Sequence, residues 1–185
     1  RSWKDMTWWR CFWTARASRT MKSSFALGVT LDGQKIPLGF VQAATENERV
    51  CRRFLTDLVD RGLQYEAGLL VVNGAKGLYK AVMSVLQGYV CVQRCQYHKR
   101  KTSYLPKSEQ SRIRRQMEAA YGKPTHEEAK KALKALKPGL KLMNQSALTS
   151  LEEGLHETLT LHRLGLMPML KDFFRTTNCI ENVNS

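Results

Sequence analysis

An α/β sheet carrying an all-helical insertion is the fold class this sequence predicts. Three observations predict it. Strand and helix signals alternate from Phe25 to Arg94. Strand signals then vanish between Ser108 and about Leu164, where helical spacing takes over. The apolar fraction, 43% of 185 residues, suits one packed domain with an insertion.

The elements follow in order. Phe25-Ala-Leu-Gly-Val-Thr-Leu31 reads as a strand, Asp32-Gly33 as a hairpin turn, and Ile36-Pro-Leu-Gly-Phe-Val-Gln42 as the return strand. Pro37 has no N–H to donate and marks that strand as an edge. Asp32 therefore reads as a turn residue rather than a strand-end acid. Thr45 and Glu48 are spaced as a capping box that opens a helix to about Gly62. Its apolar face reads as Val50, Phe54, Leu58 and Val59. Leu69–Val72 is apolar throughout, as an inner parallel strand requires. A helix from about Lys76 to Gln87 follows, with Leu78, Val82, Val85 and Leu86 inward, and then an alternating strand, Tyr89–Arg94. Together these give a hairpin feeding parallel, right-handed crossovers.

Three helices are predicted in the insertion. Ser108–Tyr121 turns Ile113, Met117 and Ala120 to one side. The second opens at Thr125-x-x-Glu128 and stops at Pro138-Gly139. The third, Asn144–His162, carries a stripe of Leu148, Leu151, Leu155 and Leu159. Near the end, Thr177–Glu181 reads as a helix start cut through by the last residue.

The net charge of +14 points to a polyanionic partner, with nucleic acid first among them. No apolar run has the length of a membrane span, and the first residues do not have the pattern of a secretory signal. Five scattered cysteines (Cys11, Cys51, Cys91, Cys95 and Cys179) read as reduced thiols of a cytoplasmic protein. The first 24 residues differ from the rest: all four tryptophans lie among them, and Asp5 stands alone against six Lys and Arg.

Candidate chemistry gathers at three places. Asn73 ends the all-apolar strand, at the carboxyl edge where open α/β sheets place ligands and catalytic groups. A carboxylate there could hold a metal, whereas an amide holds one poorly. Cys95-x-x-His98 follows the next strand; it is half of a zinc pattern, and the alternative is a buried thiol beside a histidine near a polyanion site. Glu181 stands at the closing helix start. Lys99, Arg100, Lys101, Arg112, Arg114 and Arg115 form a basic cluster, either a solvated helix face or a set of phosphate contacts. His126, His156 and His162 read as surface or capping residues.

Five segments carry a family resemblance: Phe25–Gly33, Leu38–Arg49, Asn73-Gly-Ala-Lys-Gly-Leu78, Gln93–Arg100 and Thr176-Thr-Asn-Cys-Ile-Glu181. Together they resemble the Mutator-type transposases of bacterial insertion sequences. The resemblance implies a ribonuclease-H-like mixed sheet with a helical insertion. It also implies a triad of two aspartates and a glutamate that binds two Mg²⁺ or Mn²⁺ ions for DNA cleavage and strand transfer. DNA would be the partner, as transposon ends and target, with a homo-oligomer open and no membrane involved. The setting would be bacterial cytoplasm at the nucleoid. Glu181 matches the catalytic glutamate, Cys95 and His98 match the family's Cys-x-x-His motif, and Asn73 falls at the second aspartate. Asn73 and Glu181 are then the metal positions. The first aspartate belongs to a Leu-Asp-Gly-like segment before Phe25, and no such segment is present.

On this reading residues 1–24 are an out-of-frame segment, 25–100 the core, 101–172 the insertion, and 173–185 the start of the glutamate helix. Shifting the frame of Arg10–Ala17 by two nucleotides permits Leu-(Leu/Phe)-Leu-Asp-Gly-Lys-Ser, since tryptophan has a single codon. The central first strand is therefore missing, or else replaced by Met6–Trp13, whose β-propensity is high but whose tryptophans would overpack the slot. The expectation is a truncated, degenerate copy that does not cleave DNA. A binding or dimerising remnant, an unrelated ribonuclease-H-like nuclease and a poorly folded product are the other readings.

Overall fold

The computed structural model describes residues 8–17, 22–30, 34–43, 47–66, 68–100, 103 and 105–174, of which 8–17, 22–24, 30, 43 and 171–174 are described as backbone. Asp32-Gly33, Thr45, Lys101 and the Thr177–Glu181 segment lie outside the described residues. Two compact units divide between Val92 and Gln93.

The first unit is built on a mixed sheet in the order β3-β2-β1-β4-β5. Its strands are β1 (Trp8–Ala17), β2 (Lys22–Thr30), β3 (Lys35–Ala43), β4 (Leu69–Val72) and β5 (Cys91–Arg94). The sheet's central strand is Trp8–Ala17, shifted from the expected Met6–Trp13: β1 pairs antiparallel with β2, Cys11 opposite Gly28, and parallel with β4, Cys11 opposite Leu70. Backbone groups on both sides of the slot find partners, which would otherwise be a large cost. The expectation of overpacking concerns side chains outside the described set. β2 and β3 pair antiparallel as predicted, with β3 at the edge and an irregularity between Ala26 and Leu27 opposite Pro37.

Helix α1 (Glu48–Asp60) starts two residues later than the predicted capping box: its N-cap is Asn47, whose side chain accepts from Val50 N at 3.0 Å. Arg61 closes α1, and Gly62 just beyond it has φ +94°. The buried face is Cys51, Phe54, Leu55 and Leu58, spaced i, i+3, i+4, i+7, while Val50 and Val59 only flank it. Cys51 behaves as a small hydrophobe, so leaving it out of the apolar count rotates the predicted face. Helix α2 (Lys76–Val85) buries Leu78, Ala81 and Val82, with Leu86 just past its end. Gly77 lets α2 meet the start of α1: a Cβ there would lie 2.9 Å from the Glu48 N. β4 is buried at all four positions. The predicted alternation along Tyr89–Arg94 does not hold, because β5 is short and Val92, Gln93 and Arg94 are buried in succession.

The second unit is helical. It contains α3 (Gln96–Lys99), α4 (Lys107–Tyr121), α5 (His126–Ala135), α6 (Lys137–Met143), α7 (Gln145–Glu152), α8 (Leu155–Thr158), α9 (Thr160–Arg163) and α10 (Met167–Phe174). Ile113, Met117, Ala120, Leu133, Leu148, Leu151, Leu155 and Leu159 share its core. The Thr125–Glu128 capping box forms in both directions. Pro138-Gly139 does not end the helical run: Pro138 falls in the first turn of α6, where no N–H is needed. The predicted third helix is broken at Gly154, which has φ +68°, so its leucine stripe runs over α7 and α8 to Leu159. α3 and α10 are elements the sequence reading did not separate.

Candidate functional site: a strand end and a motif helix

In the first unit, Asn73 follows β4 and is half-buried. Its Oδ1 accepts from the Ala75 N–H at 3.0 Å, the bond of an Asx turn that leads into α2. An aspartate would accept the same bond, so the turn does not require the amide. What the amide lacks is charge. Continuing the β1–β4 register from Phe12 opposite Val71 by two residues brings Thr14 level with Asn73. β1 contains no Asp or Glu along its whole length. Among the described residues no three His, Cys, Asp or Glu side chains gather into a group able to hold a metal. A neutral oxygen already engaged by a backbone N–H does not fit a pair of hard divalent cations, which favour charged oxygen donors. Glu181, the third predicted position, lies outside the described residues.

In the second unit the Cys-x-x-His motif forms α3. Cys95 is buried and its Sγ lies 3.1 Å from His98 Nδ1. No third ligand completes a zinc site among the described residues. Two glutamines the sequence reading passed over anchor this helix. Gln93, fully buried, donates from Nε2 to Arg94 O at 2.8 Å and to Thr158 O at 2.9 Å. Its Oε1 accepts from Leu161 N at 2.9 Å, which fixes the orientation of the amide. Gln96 donates to the same Thr158 O at 3.0 Å. Arg94, also buried, reaches Glu153 at 3.6 Å.

Tyr121 closes the neighbourhood of the motif. Its buried hydroxyl makes no hydrogen bond of normal geometry, and burial pushes its pKa up to about 12. Thr158 and Arg100 pull that value back and Cys95 raises it further. Although Thr158 acts on the phenol, its own hydroxyl is committed to Leu155 O at 2.7 Å. Of the surface and capping alternatives for His162, the capping one holds: it is 5% exposed and serves carbonyls at the end of α4. Its Nε2 sits 3.1 Å from both Tyr121 O and Lys123 O, so Nε2 carries the proton and donates to both. Nδ1 is then a buried lone pair without a partner, and burial lowers the ring's pKa, against the two backbone bonds that raise it. His126 pairs with Glu127, and His156 is exposed.

The basic cluster is less uniform than the sequence implies. Arg114 and Arg115 are exposed on α4. Arg112 is exposed too but is tied to Glu109. Arg100 binds Glu118 at 2.7 Å, and Lys99 is half-buried. Tyr97, which no predicted pattern used, is 49% exposed beside them. Its signal is a lone aromatic inside the polar and basic run Gln96-Tyr-His-Lys-Arg100.

The described residues thus give a mixed sheet followed at one strand end by Asn73, and a helical unit opening on a Cys-x-x-His turn. A family profile described as "Transposase, Mutator family" matches residues 14–185. The chain belongs to the Mutator family of transposases. It is similar to the transposase for insertion sequence element IS406 of Burkholderia multivorans (strain ATCC 17616 / 249), with 31% identity over 168 residues. That match covers 86% of this chain and 41% of the relative, so the chain spans about two-fifths of its length. The profile begins at Thr14, inside the segment set apart by its tryptophans. No helix among the described residues is long and apolar enough to cross a membrane.

Proposed function

We propose that this chain is a DNA-associating transposase homologue without strand-cleaving chemistry. The observation that carries this reading is Asn73: an uncharged side chain, bonded to its own turn, where the family resemblance calls for a metal-binding aspartate. The strand order, with β1 antiparallel to β2 and parallel to β4, supports a ribonuclease-H-like core in which β1 is the central first strand. On that reading Thr14 marks the position of the first aspartate. The shifted frame takes its Asp codon from the last base of Trp13 and the first two of Thr14. In intact relatives of this chemistry, two divalent ions activate the attacking oxygen and stabilise the leaving one. The residues described here do not fit those ions, and no cleavage step is assigned to them.

Binding is supported separately. The +14 charge and the exposed Arg114 and Arg115 favour contacts to phosphates, which position DNA without reading bases. Such binding weakens steeply with salt.

The test is a nicking assay on DNA carrying insertion-sequence ends, with Mg²⁺ and with Mn²⁺. The expected result is salt-dependent binding and no nicking. Metal-dependent nicking that disappears in Glu181→Ala overturns the proposal.

A further inference from the structure

Tyr97 sits at the outer face of a turn whose inner face is buried. The two residues that precede it in sequence are buried, Gln96 being 3% and Cys95 1% exposed. Gln96 is anchored to Thr158 O, and Cys95 holds the His98 ring through its 3.1 Å contact. Backbone bonds from Lys99 N to Cys95 O and from Arg100 N to Gln96 O and Tyr97 O close the turn. The backbone beneath Tyr97 is therefore set before any ligand arrives.

The ring itself is flanked on two sides. The His98 ring meets it edge-on, with centroids 5.8 Å apart at an interplanar angle of 88°. The Arg100 guanidinium lies over it at 5.8 Å from the centroid, at the outer limit of a cation–π contact. Glu118 holds that guanidinium at 2.7 Å. Tyr97 nonetheless remains 49% exposed.

We propose that Tyr97 is a stacking platform for an unpaired nucleobase. An exposed, pre-set aromatic flanked by cations is what single-stranded nucleic acid binds, because every base has a π-face and every linkage a charge. A buried face would suit a protein core, and an apolar surround would suit a protein partner. The neighbours here are His98, Lys99 and Arg100 instead. The platform rests on the DNA-associating reading and makes it specific: this turn selects unpaired bases, while Arg114 and Arg115 contribute charge alone. It does not depend on the missing carboxylates.

The experiment measures binding of the full chain to a short single-stranded oligonucleotide, to the same strand with abasic positions and to duplex, over a range of salt. Tyr97→Ala is expected to weaken binding of the base-containing strand by about tenfold, a typical loss for one stacked base. Tyr97→Phe should stay within about twofold of the parent, since it keeps the π-face. The abasic strand should bind the parent chain as weakly as Tyr97→Ala binds the normal strand, with the salt slope unchanged. Because Tyr97 is exposed, neither variant removes a core contact. Salt-dependent binding that is indifferent to Tyr97→Ala and to base removal overturns the platform and leaves DNA association standing. No binding to any oligonucleotide overturns both.

Discussion

Gly154 is the residue whose side chain, or lack of one, most constrains its surroundings. Its φ of +68° is in the left-handed region, and a Cβ there would lie 2.5 Å from Arg94 Nε. Arg94 cannot easily withdraw, because it is buried and paired with Glu153. Gly154→Ala is expected to cost about 2–4 kcal/mol, combining backbone strain with overpacking. Gly165 provides the control: its φ of +67° is the same, but nothing lies within 4 Å of its Cβ position. Gly165→Ala should cost only the strain, about 1 kcal/mol. Urea titrations of the two variants check this, and equal losses would show that Arg94 yields freely. Asn73 illustrates the opposite case. Its turn bond is open to an aspartate as well, so the fold does not demand the amide.

Among the elements, α9 is held to the end of α4 by a single imidazole. His162 donates to Tyr121 O and Lys123 O, carbonyls at and just beyond the α4 terminus. Burial lowers the ring's pKa below its ordinary value of 6.5, which favours the neutral form in the fold. His126 acts on it electrostatically in the same direction. The unfolded chain therefore takes up the proton first as pH falls. Stability is greatest above 6.5 and is lost progressively as pH drops below that value. Thermal melts between pH 7.5 and 5 should show Tm falling in the parent chain. The fall should be smaller in His162→Gln, whatever that variant's starting stability. A parent Tm that stays flat over this range would contradict the account. Sequence spacing had no means of separating this histidine from a surface one, since its partners are carbonyls about forty residues earlier.

At the scale of the whole molecule, β1 stands at the centre of the described sheet, held by backbone pairing on both sides. Its parallel register with β4 runs from Arg10 opposite Leu69 to Phe12 opposite Val71, and continued past the end of β4 it brings Thr14 level with Asn73. Replacing only one of them leaves a lone carboxylate, which binds a divalent ion weakly. The double change Thr14→Asp with Asn73→Asp should create a Mn²⁺-dependent rise in Tm of about 4 °C or more, from ion binding to the folded state. Each single variant should show no such rise. Calorimetry with and without Mn²⁺ checks this, and a double variant insensitive to Mn²⁺ would separate Thr14 from the metal locus.

The sequence by itself determined the family, the order of the main strands and helices from Phe25 onward, and the leucine stripe of the helical unit. Those features rest on local periodicity, turn chemistry and motif spacing, all of which a linear chain displays. Only the tertiary structure decided that Trp8–Ala17 fills the central strand position, because strand pairing depends on partners distant in the chain. It also decided that Asn47 rather than Thr45 caps α1, and that Gly154 breaks a helix that looked continuous. Tyr97 is the clearest case. Its exposure follows from the burial of Cys95 and Gln96, and that burial is set by Thr158, more than sixty residues away.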